Sequence, residues 1–137
     1  MKTATMTNLT IVIGDKTYVM ELGMVEETML GIEDHGIFSS WLHIDFGGTG
    51  QGAGGYSLDS PVSDEDGKHI GRFGSAFGAQ WIMDTLKVVG VDSWERVKGS
   101  KVYVLRKDEW SSIEGLAHWL KPETNYMIFA DVKAVVQ

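Results

Sequence analysis

The chain has 137 residues, of which 43% are hydrophobic and 23% charged, and 19 acidic against 12 basic side chains give a net charge of −7. This length suits one domain over 1–137 with a proper core. The acidity excludes general nucleic-acid binding, which needs a basic footprint on phosphates. The absence of cysteine excludes disulfides and thiolate chemistry.

No apolar run approaches the ~20 residues of a membrane span. The opening MKTATMTNLT lacks the apolar core of a signal peptide. A soluble, cytoplasmic protein is therefore expected. The acidity serves solubility, or else it docks on a basic partner or mimics nucleic acid.

Residues 1–7 are small and polar and are predicted to fray. Leu9–Ile13 and Thr17–Leu22 flank a Gly14-Asp15-Lys16 turn and read as a hairpin. A strand over Thr28–Glu33 follows, because Gly31 weakens a helix there. Asp34-His35-Gly36 reads as a turn. Ile37–Phe46 is the clearest strand in the chain. Phe38, Ser40, Leu42, Ile44 and Phe46 share one parity, and Trp41, His43 and Asp45 the other. Six glycines in the nine residues 47–55 predict a loop, either flexible or kept bare for a close approach. A strand resumes at Tyr56, and 60–67 reads as a solvated loop.

The main helix is predicted from about 75 to 89. Ser75 is its N-cap, Gly90 follows its C-terminus, and Phe77, Trp81, Ile82, Leu86 and Val89 form its apolar stripe. A short turn over 94–98 precedes a strand over Lys101–Arg106, in which Val102, Val104 and Arg106 share a parity. Ile113–Leu120 has helical spacing interrupted by Gly115. The apolar runs 126–129 and 132–136 predict a late strand. The sum is an α+β fold: a mostly antiparallel sheet of about six strands with the 75–89 helix on one face.

Gly50, Gly52 and Gly55 satisfy G-x-G-x-x-G after a strand. The segment Tyr56–Pro61 that follows does not open a helix, so the dinucleotide fingerprint is rejected. Lys68, His69 and Arg72 lie among glycines just before Ser75. Cations beside a helix start attract phosphate or carboxylate, so these four residues form a predicted anion site. Trp41 or Tyr56 is the stacking surface beside it. His43 and Asp45 share a strand face and, with His35, are the residues a metal would use, although no H-E-x-x-H spacing occurs. No cofactor is expected, and no serine lies in a nucleophile elbow.

The order GIEDHGI at 31–37, GGTGQGAGGYSLD at 47–59, VVGVDSWERVKGSKVYVL at 88–105 and IEGLAHWL at 113–120 resembles a widespread family of small hypothetical proteins encoded in phages and prophages. The resemblance transfers no catalytic residue. It implies an accessory protein acting in the cytoplasm of an infected bacterium, where such proteins counter host defences.

The expected function is a non-enzymatic binding protein for a nucleotide-like anion. It would be held by Trp41, Gly50, Gly52, Gly55, Tyr56, Lys68, His69, Arg72 and Ser75. The alternatives are an acidic inhibitor of a host defence (CRISPR-type) complex and a metal-dependent hydrolase using His35, His43 and Asp45. Glycine-rich segments and strand edges permit a homo-oligomer without demanding one.

Overall fold

The computed structural model describes residues 4–7 and 9–135. Among the described residues there are ten strands: β1 (Ala4–Thr7), β2 (Thr10–Ile13), β3 (Lys16–Glu33), β4 (Ile37–Asp45), β5 (Gly50–Ser57), β6 (Asp59–Ser63), β7 (His69–Gly74), β8 (Lys101–Arg106), β9 (Ile113–His118) and β10 (Tyr126–Ile128). Helix α1 spans Ala76–Val89 and helix α2 Phe129–Val135. The class is the α+β one read from the sequence. Eight strands form one antiparallel sheet, and β6 and β7 form a separate two-stranded one.

β3 organises the large sheet. Its first residues pair with β2, residues 19–24 pair with β8, and residues 24–33 pair with β4. β5 lies beyond β4, and β9 and β10 lie beyond β8. The sheet curls until β5 stands against β9. Gln51 of β5 spans the gap: its Nε2 donates to the Ser111 carbonyl at 3.1 Å, and its Oε1 accepts from Arg106 Nε at 2.8 Å.

Strand alternation sends side chains to two cores. The larger core holds Val25, Leu42, Ile44, Val102, Val104 and Leu116 against Trp81, Val88 and Val89 of α1. The smaller lies on the opposite face, with Ile11, Ile13, Tyr18, Met20, Leu105 and Ala117. Helix α1 is capped as predicted. Ser75 Oγ accepts from Gly78 N at 2.9 Å, and Gly90 adopts the left-handed conformation while its N–H donates to the Leu86 carbonyl.

Several expectations are corrected. The predicted strands over 17–22 and 28–33 are one strand of 18 residues. The glycine-dense segment is mostly strand rather than loop, since β5 pairs with β4 from Gly50 to Ser57. Pairing asks only for backbone groups, which glycine supplies, and Gly54 and Gly55, both with positive φ, absorb the register shift between Ser40 and Trp41. Residues 60–63 are strand, and Ile113–His118 resolves as strand. The β-prone run near 132 is helical because Phe129 and Val132 turn inward to the α1 core; Val136 lies outside the described residues. Ala4–Thr7, predicted to fray, pairs with β2, and residues 1–3 lie outside the described residues.

Candidate functional site

The predicted anion corner exists as a neighbourhood, but its guanidinium is engaged. Arg72 Nε donates to Asp59 Oδ2 at 3.1 Å, and its Nη2 donates to Asp59 Oδ1 at 2.9 Å. Asp59 is 9% exposed and also accepts from Phe38 N and Ser57 Oγ. The Arg72 hydrogen bond is the main force holding the Asp59 carboxyl down at about 2, with burial opposing it. Releasing Arg72 to an incoming anion would strand that carboxylate. Ser75 is used as the helix cap and also donates to the Leu58 carbonyl at 3.1 Å. Lys68, in the turn between β6 and β7, and His69, the first residue of β7, are exposed.

The two stacking candidates lie in different settings. The Tyr56 ring is edge-on to Trp81 at 4.9 Å, Phe77 at 5.9 Å and Phe129 at 6.0 Å, inside an aromatic cluster beneath α1. Trp41 lies on the other side of β4, its Nε1 donating to Glu33 Oε1 at 3.1 Å. Gly50 and Gly52 pair with Asp45 and His43, and Gly55 sits in the bulge. His43 Nε2 faces Glu26 at 3.6 Å. His35 lies in the turn before β4, at the opposite end of that strand from His43 and Asp45. Among the described residues, no group of three or more His, Asp or Glu is placed to hold a metal.

The built cavity lies elsewhere, at the end of the curled sheet. It is a cleft of about 650 Å³ between β3, the β4–β5 turn and the β8–β9 turn, within the range of small-molecule sites. Arg106 lines it and is only 5% exposed. Its Nη1 donates to Glu21 Oε1 at 2.8 Å, its Nε to Gln51, and its guanidinium lies 4.9 Å from the centre of the Phe46 ring. Among the described residues, its Nη2 donates to no protein atom. Trp110, 92% exposed, stands at the mouth beside Glu109 and Ser111.

Of the predicted site residues, Gly50 alone borders this cleft. Sequence reasoning missed Arg106, Gln51, Glu21 and Trp110. One signal was available: Arg106 shares its parity with the core residues Val102 and Val104, an odd place for a cation without partners. A smaller cavity of about 380 Å³ runs between α1 and β10. Its Gln80 and Asn125 amides are already bonded to Asp84 and to the Lys87 carbonyl.

Chemically, the cleft offers a fixed donor on Arg106, a carboxylate acceptor on Glu21 and an aromatic face on Trp110. Comparisons with family models, with curated proteins and with solved structures give no match. Among the described residues, no helix is long and apolar enough to cross a membrane.

Proposed function

We propose that the protein is a non-enzymatic binding protein whose ligand is nucleotide-like, with a planar heteroaromatic ring seated in the cleft at the end of the curled sheet. The observation that carries this reading is the buried Arg106 beside a cavity of ligand size. A nucleobase edge alternates donors and acceptors, and the Arg106–Glu21 pair presents one of each. Base–aromatic stacking is tolerant of sequence and needs only an accessible ring, which Trp110 provides. The charged tail of the ligand stays in solvent, away from Glu21 and Glu109. The setting in an infected bacterium, where binding a nucleotide signal would counter a defence, belongs to the same proposal and rests on the motif order alone.

The test is calorimetric titration of the purified protein with the four nucleoside monophosphates. Trp110 makes no buried contact, so Trp110→Ala keeps the fold. Stacking is worth about 1–3 kcal/mol per base, so the variant should bind at least about five-fold more weakly. Gln51→Leu should weaken binding as well, by releasing Arg106. Equal affinity of wild type and Trp110→Ala, or no binding of any of the four at millimolar concentration, refutes the reading.

A further inference from the structure

The β6–β7 hairpin belongs to neither core. It forms its own two-stranded sheet, joined to the body through β5 at one end and through α1 at the other. A two-stranded ribbon alone is marginal in water. This one is held at its base by the Asp59–Arg72 pair, by Ser57 Oγ donating to Asp59 Oδ1, and by Ser75 N donating to the Leu58 carbonyl. Its strands, of five and six residues, reach roughly 15–20 Å. Along that reach it leaves two large apolar side chains in water: Ile70 is 55% exposed and Phe73 is 54% exposed. Phe73 and Val62 share one face of the ribbon, opposite Arg72 and Asp59.

The tip is ordered and acidic. Asp64 Oδ1 accepts from both Asp66 N and Lys68 N at 2.9 Å, which fixes the turn. Glu65 and Asp66 are exposed, and Lys68 is the one cation beside them. The charge selects the occupant. A second copy would set two chains of −7 against each other, and an anionic lipid or nucleic acid would be repelled in the same way. A basic protein surface satisfies both features, with an apolar slot taking Phe73, a lysine or arginine rim meeting the tip, and Ile70 exposed at the bulge between them.

We propose that the β6–β7 arm is a docking surface for a basic partner protein, separate from the nucleotide cleft. Its base clamp presents the arm already ordered, so docking need not fold it.

The test uses a fluorescent twelve-residue peptide of alternating leucine and lysine as the probe, with oligolysine of equal charge as the control. The wild type should bind the alternating peptide at least ten-fold more tightly than oligolysine, with affinity falling between 50 and 500 mM salt. The double variant Ile70→Ser/Phe73→Ser should lose at least ten-fold. Glu65→Gln/Asp66→Asn should weaken binding and flatten its salt dependence. Near-ultraviolet circular dichroism and nucleotide titration should be unchanged in all variants, since none of these residues lines the cleft. Failure of the wild type to bind, equal binding by the variants, or equal binding of oligolysine overturns the proposal. So does a dimer in sedimentation velocity that Phe73→Ser dissociates, because the arm would then serve a second copy.

Discussion

Gly78→Ala sets helix propensity directly against packing. Alanine inside a helix is favoured over glycine by about 1 kcal/mol, so the sequence alone suggests a stabilising change. Gly78, however, is where α1 meets the backbone between β5 and β6. An added Cβ would overlap the Leu58 carbonyl oxygen and come within 2.8 Å of its carbon and 2.9 Å of its Cα. Overpacking costs about 1–3 kcal/mol, and backbone atoms cannot rotate away as a side chain does, so the upper end applies. The same carbonyl accepts from Ser75 N and Ser75 Oγ, so a shift at Leu58 also loosens the helix start. The net expectation is a loss of about 2 kcal/mol, or roughly 8 °C in melting temperature for a chain of this size. Urea denaturation followed by circular dichroism measures it. Gly52→Ala is the matched control, because nothing lies within 4 Å of its added Cβ, and it should change stability little. A Gly78→Ala protein as stable as wild type would show that α1 does not sit this close to Leu58.

Two further outcomes follow from the core and the clamp. Trp81, 3% exposed and at the centre of the aromatic cluster, should cost about 3–5 kcal/mol on truncation to alanine, read from the shift of the urea midpoint. The Asp59 carboxyl is lowered from 3.8 to about 2 in the folded protein. Its contribution is therefore complete above pH 4 and is lost as the pH falls towards 2. The urea midpoint of wild type should drop across that window, and Asp59→Asn should flatten the drop; an unchanged slope in the variant would separate Asp59 from acid sensitivity.

What the sequence made legible is what local chemistry decides. The parity of Phe38, Ser40, Leu42 and Ile44 foretold the inward face of β4, and Ser75 and Gly90 marked both ends of α1. Both signals act within a few residues. β5 was hidden because its glycines carry no strand propensity, and only the β4 backbone beside it makes a strand there. α2 was hidden because Phe129 and Val132 answer to α1, far away in sequence. The cleft illustrates the same limit. Glu21 and Arg106 stand 85 positions apart, and no spacing rule joins them until β3 and β8 pair. Arg72, by contrast, is conspicuous beside Lys68 and His69, but the partner that engages it, Asp59, lies across a hairpin whose first strand, by its sequence, reads as a solvated loop over 60–67.

The length of β3 also bears on how the molecule is made. Its β8 edge pairs residues 19–24 with 101–106, so that edge has no strand beside it until roughly 80 more residues have been synthesised, about 4–16 s at ~5–20 residues per second. During that interval the nascent chain carries an open strand edge bearing Met20, Leu22 and Met24, the kind of edge that recruits a second strand from a neighbouring chain. Slow translation between Met24 and Lys101 would lengthen the exposure, and the yield of folded protein would depend on elongation rate as much as on final stability.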